Sequence, residues 1–103
     1  MLTNLDPGIH DMTGASIQDV IHELQFGHAV VTWANYDWNA NPSDQNDYHV
    51  MTIVGYRNGQ FLIADPYSYS RRVYWVNQGT WNYVNKNEHA NGWNLPTGMN
   101  LTV

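Results

Sequence analysis

The sequence predicts an α+β domain with a mostly antiparallel sheet, one N-terminal helix and a second, shorter helix. Apolar residues recur at helical spacing after Ser16, in the order Ile17, Val20, Ile21 and Leu24. Further along, short β-branched and aromatic runs alternate with turn signals, as is typical of strands joined by hairpins. Strands in series next to a helix, without regular alternation of the two, favour α+β over a parallel α/β fold.

The first helix has recognisable signals at both ends. Ser16 and Asp19 form a Ser-x-x-Asp variant of the capping box, in which each residue satisfies a backbone N–H of the other. Gly27 supplies a natural stop. The turn residues before Ser16 predict an extended lead-in with no helix of its own.

Three strands and one tight turn follow. Residues 29–34 form a continuous apolar run, which predicts a buried strand. Residues 48–56 and 61–64 predict two further strands. Asn58-Gly59 between them predicts a type I′ hairpin turn, because both residues tolerate the positive φ angles that this turn requires.

The last third of the chain predicts a strand, a helix and a final strand. Residues 72–76 alternate in polarity, and Asn77 is a good cap for a helix over 78–87. Residues 99–103 predict the last strand. The side chains expected to face inward from this helix are Trp81, Val84 and Tyr83, and Trp33 and Trp75 are also expected in the core.

The composition excludes several classes of function. The 103 residues suit one domain over 1–103, and the net charge of −5 argues against nucleic acid and against anionic membranes as partners. No apolar run reaches the ~18 residues of a membrane span, so no membrane insertion is expected. The chain has no cysteine, and its histidines lack the spacing of a zinc motif, so neither a metal site nor a cofactor is predicted.

Two polar residues stand out against this framework. His49 begins one strand of the predicted hairpin and Asp65 ends the other, sixteen positions later. In an antiparallel hairpin the start of one strand lies beside the end of its partner, so the two side chains are expected to be neighbours. A carboxylate that accepts one imidazole N–H fixes the tautomer and leaves the other nitrogen as a base. His49 and Asp65 therefore form a candidate catalytic pair. The alternative is a structural strand histidine and an Asp that forms a turn before Pro66.

The residues around this pair resemble a known family. His49, the Val54-Gly55-Tyr56 stretch, the hairpin and Asp65-Pro66 are similar to the second half of the papain-like cysteine peptidases that trim double-glycine leaders from bacteriocin precursors, and to their stand-alone bacterial relatives. The run from Gly27 to Trp33 resembles the strand that precedes the catalytic His in that family. The resemblance implies the sheet half of a papain-like hydrolase, with His49 as general base and Asp65 as its orienter. It also implies an extracellular or cell-surface location.

The resemblance also implies a nucleophile that this chain lacks. The family carries its catalytic Cys at the head of an early helix, a few residues after a Gln of the oxyanion hole, and no Cys occurs among the 103 residues. Three hypotheses follow. The chain is part of a peptidase whose Cys comes from outside it, or a cysteine-less pseudopeptidase that binds peptide, or an unrelated small interaction domain.

The long polar loop over residues 35–47 completes the sequence-based picture. It carries Tyr36 and Trp38 among neutral polar residues, and exposed aromatic side chains predict a peptide-binding rim. The expected partner is a peptide or protein substrate. A sheet without its helical half would expose an apolar face, which predicts a Cys-bearing partner segment or a homo-oligomer.

Overall fold

A computed structural model describes residues 9–35, 38, 48–66, 73–87 and 97–102 of the chain. These residues form six strands and two helices. The elements are β1 (His10–Asp11), α1 (Ile17–Gln25), β2 (Val30–Asn35), β3 (Tyr48–Arg57), β4 (Gln60–Ala64), β5 (Val73–Asn77), α2 (Gln78–Asn87) and β6 (Asn100–Thr102).

The six strands form one sheet in the order β1-β6-β2-β3-β4-β5, and every neighbouring pair is antiparallel. The mostly antiparallel sheet with two helices confirms the predicted fold class. Strands β2 to β5 follow one another along the chain, while β6 returns to pair with β2 on its other side. The short strand β1, which extends the sheet beyond β6, was not predicted.

Helix α1 begins as the sequence predicts. The hydroxyl of Ser16 accepts from the backbone N–H of Asp19 at 3.1 Å, and the Asp19 carboxylate accepts from the backbone N–H of Ser16 at 3.0 Å. These two bonds satisfy N–H groups that the first helical turn leaves without intrahelical partners. The apolar stripe of the helix lies against the sheet, with Val20 fully buried.

The predicted hairpin turn is present between β3 and β4. Asn58 and Gly59 have φ angles of 52° and 78°, the left-handed values that an Asn-Gly turn supplies. The ladder begins regularly from Arg57 opposite Gln60, and it is interrupted by a β-bulge at Val54.

Both helices pack against the sheet, and the core lies between them and the sheet. Helix α2 contributes Trp81 and Val84 to this core, as predicted. Asn77 caps α2 by accepting from the backbone N–H of Gly79 at 2.8 Å. The prediction that Tyr83 faces inward was wrong, because Tyr83 is 60% exposed. Asn85, for which no inward position was predicted, is buried. The fully buried side chains include Val20, Val30, Met51, Ile53, Phe61, Ile63, Trp81 and Val84.

The prediction that Trp75 lies in the core was also wrong. Trp75 is 37% exposed on edge strand β5, where Val76 takes the core-facing position, and the Arg57 guanidinium lies 4.8 Å from the Trp75 ring centroid. Strand alternation decides this outcome, since successive side chains point to opposite faces of a sheet. Trp33 is half-buried on β2. No helix within the described ranges is long and apolar enough to cross a membrane.

Candidate functional site

The predicted contact between His49 and Asp65 is present. Nε2 of His49 on β3 lies 2.7 Å from Oδ1 of Asp65, the residue directly after β4, and the contact is a short hydrogen bond. With the carboxylate as acceptor, the ring carries its proton on Nε2, and Nδ1 is then the nitrogen that bears a lone pair.

The two partners differ in burial. The Asp65 side chain is 2% exposed and the His49 side chain 15% exposed. A buried carboxylate needs hydrogen-bond or charge partners, because the desolvation of an unpartnered carboxylate costs roughly several kcal/mol. The arrangement holds the acid inside the protein and leaves the imidazole partly exposed.

The bulge at Val54 decides on which face His49 lies. On the turn side of the bulge Gly55 pairs with Leu62, and beyond it Ile53 pairs with Ile63. Val54 is therefore an extra residue in β3 with no partner in β4, and it is 45% exposed.

Without an extra residue, the pairing set by the turn would continue along the hairpin. Because side chains alternate between faces, that pairing would place His49 and Asp65 on opposite faces of the sheet. One unpaired residue reverses the alternation in β3, so that Met51 and His49 share the core side with Asp65. With Val54 present, the contact therefore requires that this extra residue bulge out of the ladder.

Two aromatic residues extend the contact. The hydroxyl of Tyr74, on β5, lies 3.1 Å from Oδ2 of Asp65. The indole Nε1 of Trp38 donates to the Tyr74 oxygen at 3.0 Å. The described residues therefore give each Asp65 oxygen a partner, and they link Trp38, Tyr74, Asp65 and His49 in one hydrogen-bonded series.

Of the two aromatic residues predicted to form the rim, the structure describes Trp38. Trp38 is half-buried and packs against the core, with φ at 60°, a value uncommon for a residue with a large side chain. Tyr36 lies outside the described residues. Sequence reasoning missed Tyr74; its signal was the alternation of residues 72–76, which places Tyr74 on the same face as Val76.

Within the described part of the chain, no group of three or more His, Asp or Glu side chains could hold a metal ion. Two open depressions lie elsewhere on the described surface. They are lined mainly by α1 and the turn before it, and their lining includes Asp19 and His22.

Two comparisons with known proteins found matches to this chain. The model of the Peptidase_C39 like family matches residues 3–96. The crystal structure of a protein from Bacillus anthracis, described as a candidate C39-like peptidase, superposes with a TM-score of 0.69 at 17% identity. The match covers 91% of this chain and 50% of that protein, so the chain spans half the length of its structural relative. No curated protein matches the sequence.

Proposed function

This chain belongs to the Peptidase_C39 like family, and we propose that it supplies the general base and its orienting carboxylate, His49 and Asp65, for peptide-bond hydrolysis by a thiol supplied from outside these 103 residues. The observation that carries the proposal is the 2.7 Å contact between His49 and the buried Asp65. In this reading the chain is the sheet half of a papain-like domain, and residues 1–103 act as one unit.

The chemistry follows from the ring orientation. Nδ1 of His49 takes the proton of an incoming thiol, and the resulting thiolate sulfur attacks the carbonyl carbon of the peptide bond. The imidazolium then gives this proton to the departing amine as the C–N bond breaks, which leaves a thioester. Water, deprotonated by the same imidazole, releases the acid and the thiol. Asp65 keeps the ring oriented and stabilises the imidazolium throughout.

Expression of the chain together with the polypeptide encoded directly upstream of Met1 tests this proposal. We expect peptide hydrolysis that iodoacetamide abolishes, and we expect His49→Ala to lower kcat by roughly a hundredfold or more. The 103-residue chain alone has no thiol and should show no iodoacetamide-sensitive hydrolysis. A longer polypeptide that carries a cysteine and hydrolyses peptides equally well with His49→Ala would refute the assignment.

A second function is favoured by the absence of cysteine from the sequence. In this alternative the chain is a pseudopeptidase that binds peptide or a protein partner along the edge formed by His49 and Trp38, with Tyr36 as a further proposed contact. The family match is at odds with the third hypothesis, a domain unrelated to the peptidases. Upstream sequence without a cysteine, together with peptide binding that His49→Ala weakens, would favour this second function.

A further inference from the structure

Tyr74 contacts the candidate site from a strand that neither the sequence pattern nor the family comparison assigns to it. Its partner in the ladder is Ile63, two residues before Asp65 on β4, and its hydroxyl lies 3.1 Å from Oδ2 of Asp65. The carboxylate therefore lies between an imidazole on one oxygen and a phenol on the other.

The Tyr74 hydroxyl has one proton and three described neighbours. Trp38 Nε1 is a donor only, so it must donate to the Tyr74 oxygen, and it lies 3.0 Å away. The other two described neighbours are the Asp65 carboxylate at 3.1 Å and Sδ of Met51 at 3.5 Å. A thioether is a weak acceptor and a carboxylate a strong one, so the phenol proton goes to Oδ2 of Asp65.

We propose that Tyr74 is a positioning residue for the His49–Asp65 pair, with its hydroxyl oriented by the indole of Trp38. A carboxylate with one fixed oxygen can still rotate about its Cβ–Cγ bond. The Tyr74 bond to Oδ2 opposes this rotation, so that Oδ1 stays aligned with Nε2 of His49. The inference rests on the proposed role of His49 and Asp65, and it adds a residue that acts only through Asp65.

The geometry of Trp38 fits this role. Its backbone has φ at 60°, and bulky residues rarely keep that conformation unless surrounding contacts hold it. The contacts here are burial against the core and the bond to Tyr74. Trp38 thereby connects the chain after β2 with Asp65, which directly follows β4, through a residue on β5.

The test is the tautomer of His49, read from its ring ¹⁵N shifts at alkaline pH in the 103-residue chain. In the unsubstituted chain the Nε2–H tautomer should dominate. Tyr74→Phe keeps the ring and removes the hydroxyl, and it should raise the ratio of the Nδ1–H to the Nε2–H form by roughly two- to tenfold, the effect of one hydrogen bond. Tyr83→Phe, at an exposed tyrosine of α2, is the matched control and should change nothing.

Asp65→Asn separates this inference from the proposed function. If Asp65→Asn changes the tautomer ratio and Tyr74→Phe does not, Tyr74 has no positioning role and the His49–Asp65 proposal stands. If Asp65→Asn leaves the ratio unchanged, the pair itself fails, and the role of Tyr74 fails with it. A change with both variants, but not with Tyr83→Phe, supports both.

A second measurement covers the case in which Tyr74→Phe does not fold. A hydroxyl proton held in a partly buried bond to a carboxylate exchanges slowly with water, so Tyr74 should give a separate hydroxyl resonance in the unsubstituted chain at low temperature. Trp38→Phe should speed the exchange of that proton, because it removes the donor that orients the phenol. The absence of a hydroxyl resonance from Tyr74 would overturn the proposal.

Discussion

Asn85 and Asn100 exchange two side-chain hydrogen bonds inside the protein. Nδ2 of Asn85 donates to Oδ1 of Asn100 at 3.3 Å, and Nδ2 of Asn100 donates to Oδ1 of Asn85 at 3.1 Å. Nδ2 of Asn85 also lies 2.9 Å from the carbonyl oxygen of Trp33 on β2. The pair therefore joins α2 to β6 and to β2, the central strand that leads toward the candidate site.

Asn85→Ala should destabilise the chain by about 2–4 kcal/mol, because it removes a buried donor and leaves several buried polar atoms without their partner. Urea denaturation measures this free energy of unfolding. The matched control is Asn87→Ala on the exposed end of α2, where the side chain bonds only the Tyr83 carbonyl among the described contacts. We expect that control to change the stability by less than ~1 kcal/mol. Equal losses for the two variants would contradict the structural importance of the Asn85 network.

Lys86 gives the stability a pH dependence with a definite sign. Burial lowers the pKa of Lys86 from 10.5 to about 8, and the nearby charge of Asp19 opposes this only in part. Between pH 8 and 10.5 the unfolded chain holds a proton that the folded chain has released. This group therefore makes the fold more stable as the pH rises through that window, and its cost is fully present below pH 8.

Lys86→Met keeps the stem over the Trp81 ring and removes the titrating amine. The difference in unfolding free energy, wild type minus Lys86→Met, should rise between about pH 7.5 and pH 10, by on the order of 1 kcal/mol once solvent screening of this half-buried amine is allowed for. Comparing the two chains cancels the contributions that both share. A difference that stays flat or falls over that range would show that Lys86 is not desolvated in solution.

Val54 is the extra residue of β3, so deleting it and inserting a residue beside it should affect His49 differently. Deleting Val54 leaves the pairs Gly55–Leu62 and Ile53–Ile63 in a regular ladder and keeps His49 on the face of Asp65. Inserting one alanine after Val54 gives β3 two extra residues, and a regular ladder then displaces the strand by two residues, about 7 Å. The ¹⁵N shifts of His49 should stay native in the deletion and change in the insertion. Loss of the native shifts in the deletion would contradict this register.

The sequence predicted most elements of the fold because their signals are local. The capping residues Ser16 and Asn77 and the Asn58-Gly59 turn each define an end or a reversal without reference to the rest of the chain. The faces of strands were harder to predict. Trp75 was placed in the core on hydrophobicity alone, while the alternation along β5 exposes it and turns Val76 inward.

The sequence predicted that His49 and Asp65 are neighbours, but the hairpin pairing used for that prediction does not by itself bring them together. The hairpin alone would have separated His49 from Asp65 onto opposite faces, and the only local signal for the bulge was a glycine, Gly55, inside a strand. Tyr74 was missed because its role depends on tertiary contacts with Asp65 and Trp38, which no local pattern records. The long-range polar contacts of Tyr74 therefore could not be predicted from the sequence.

Trp38 provides the last prediction, because the structure gives it two roles to separate. Its indole N–H bonds to Tyr74 and its ring is half-buried, so Trp38→Ala should cost about 2–4 kcal/mol of stability as well as any peptide contact. Trp38→Phe keeps most of the ring and loses the donor, and about 1 kcal/mol of stability should be lost with it.

If the exposed part of the ring contacts peptide, Trp38→Ala should weaken binding by roughly 1–3 kcal/mol in calorimetric titration of a peptide library. The control is Trp75→Ala, at an exposed tryptophan on the opposite face of the sheet, which should leave the affinity unchanged. Thermal melts on the same samples assign each loss to folding or to binding. A lower melting temperature with unchanged affinity for Trp38→Ala would make Trp38 a packing residue alone. Unchanged affinity for both Trp38→Ala and His49→Ala would remove this edge of the sheet as the peptide site.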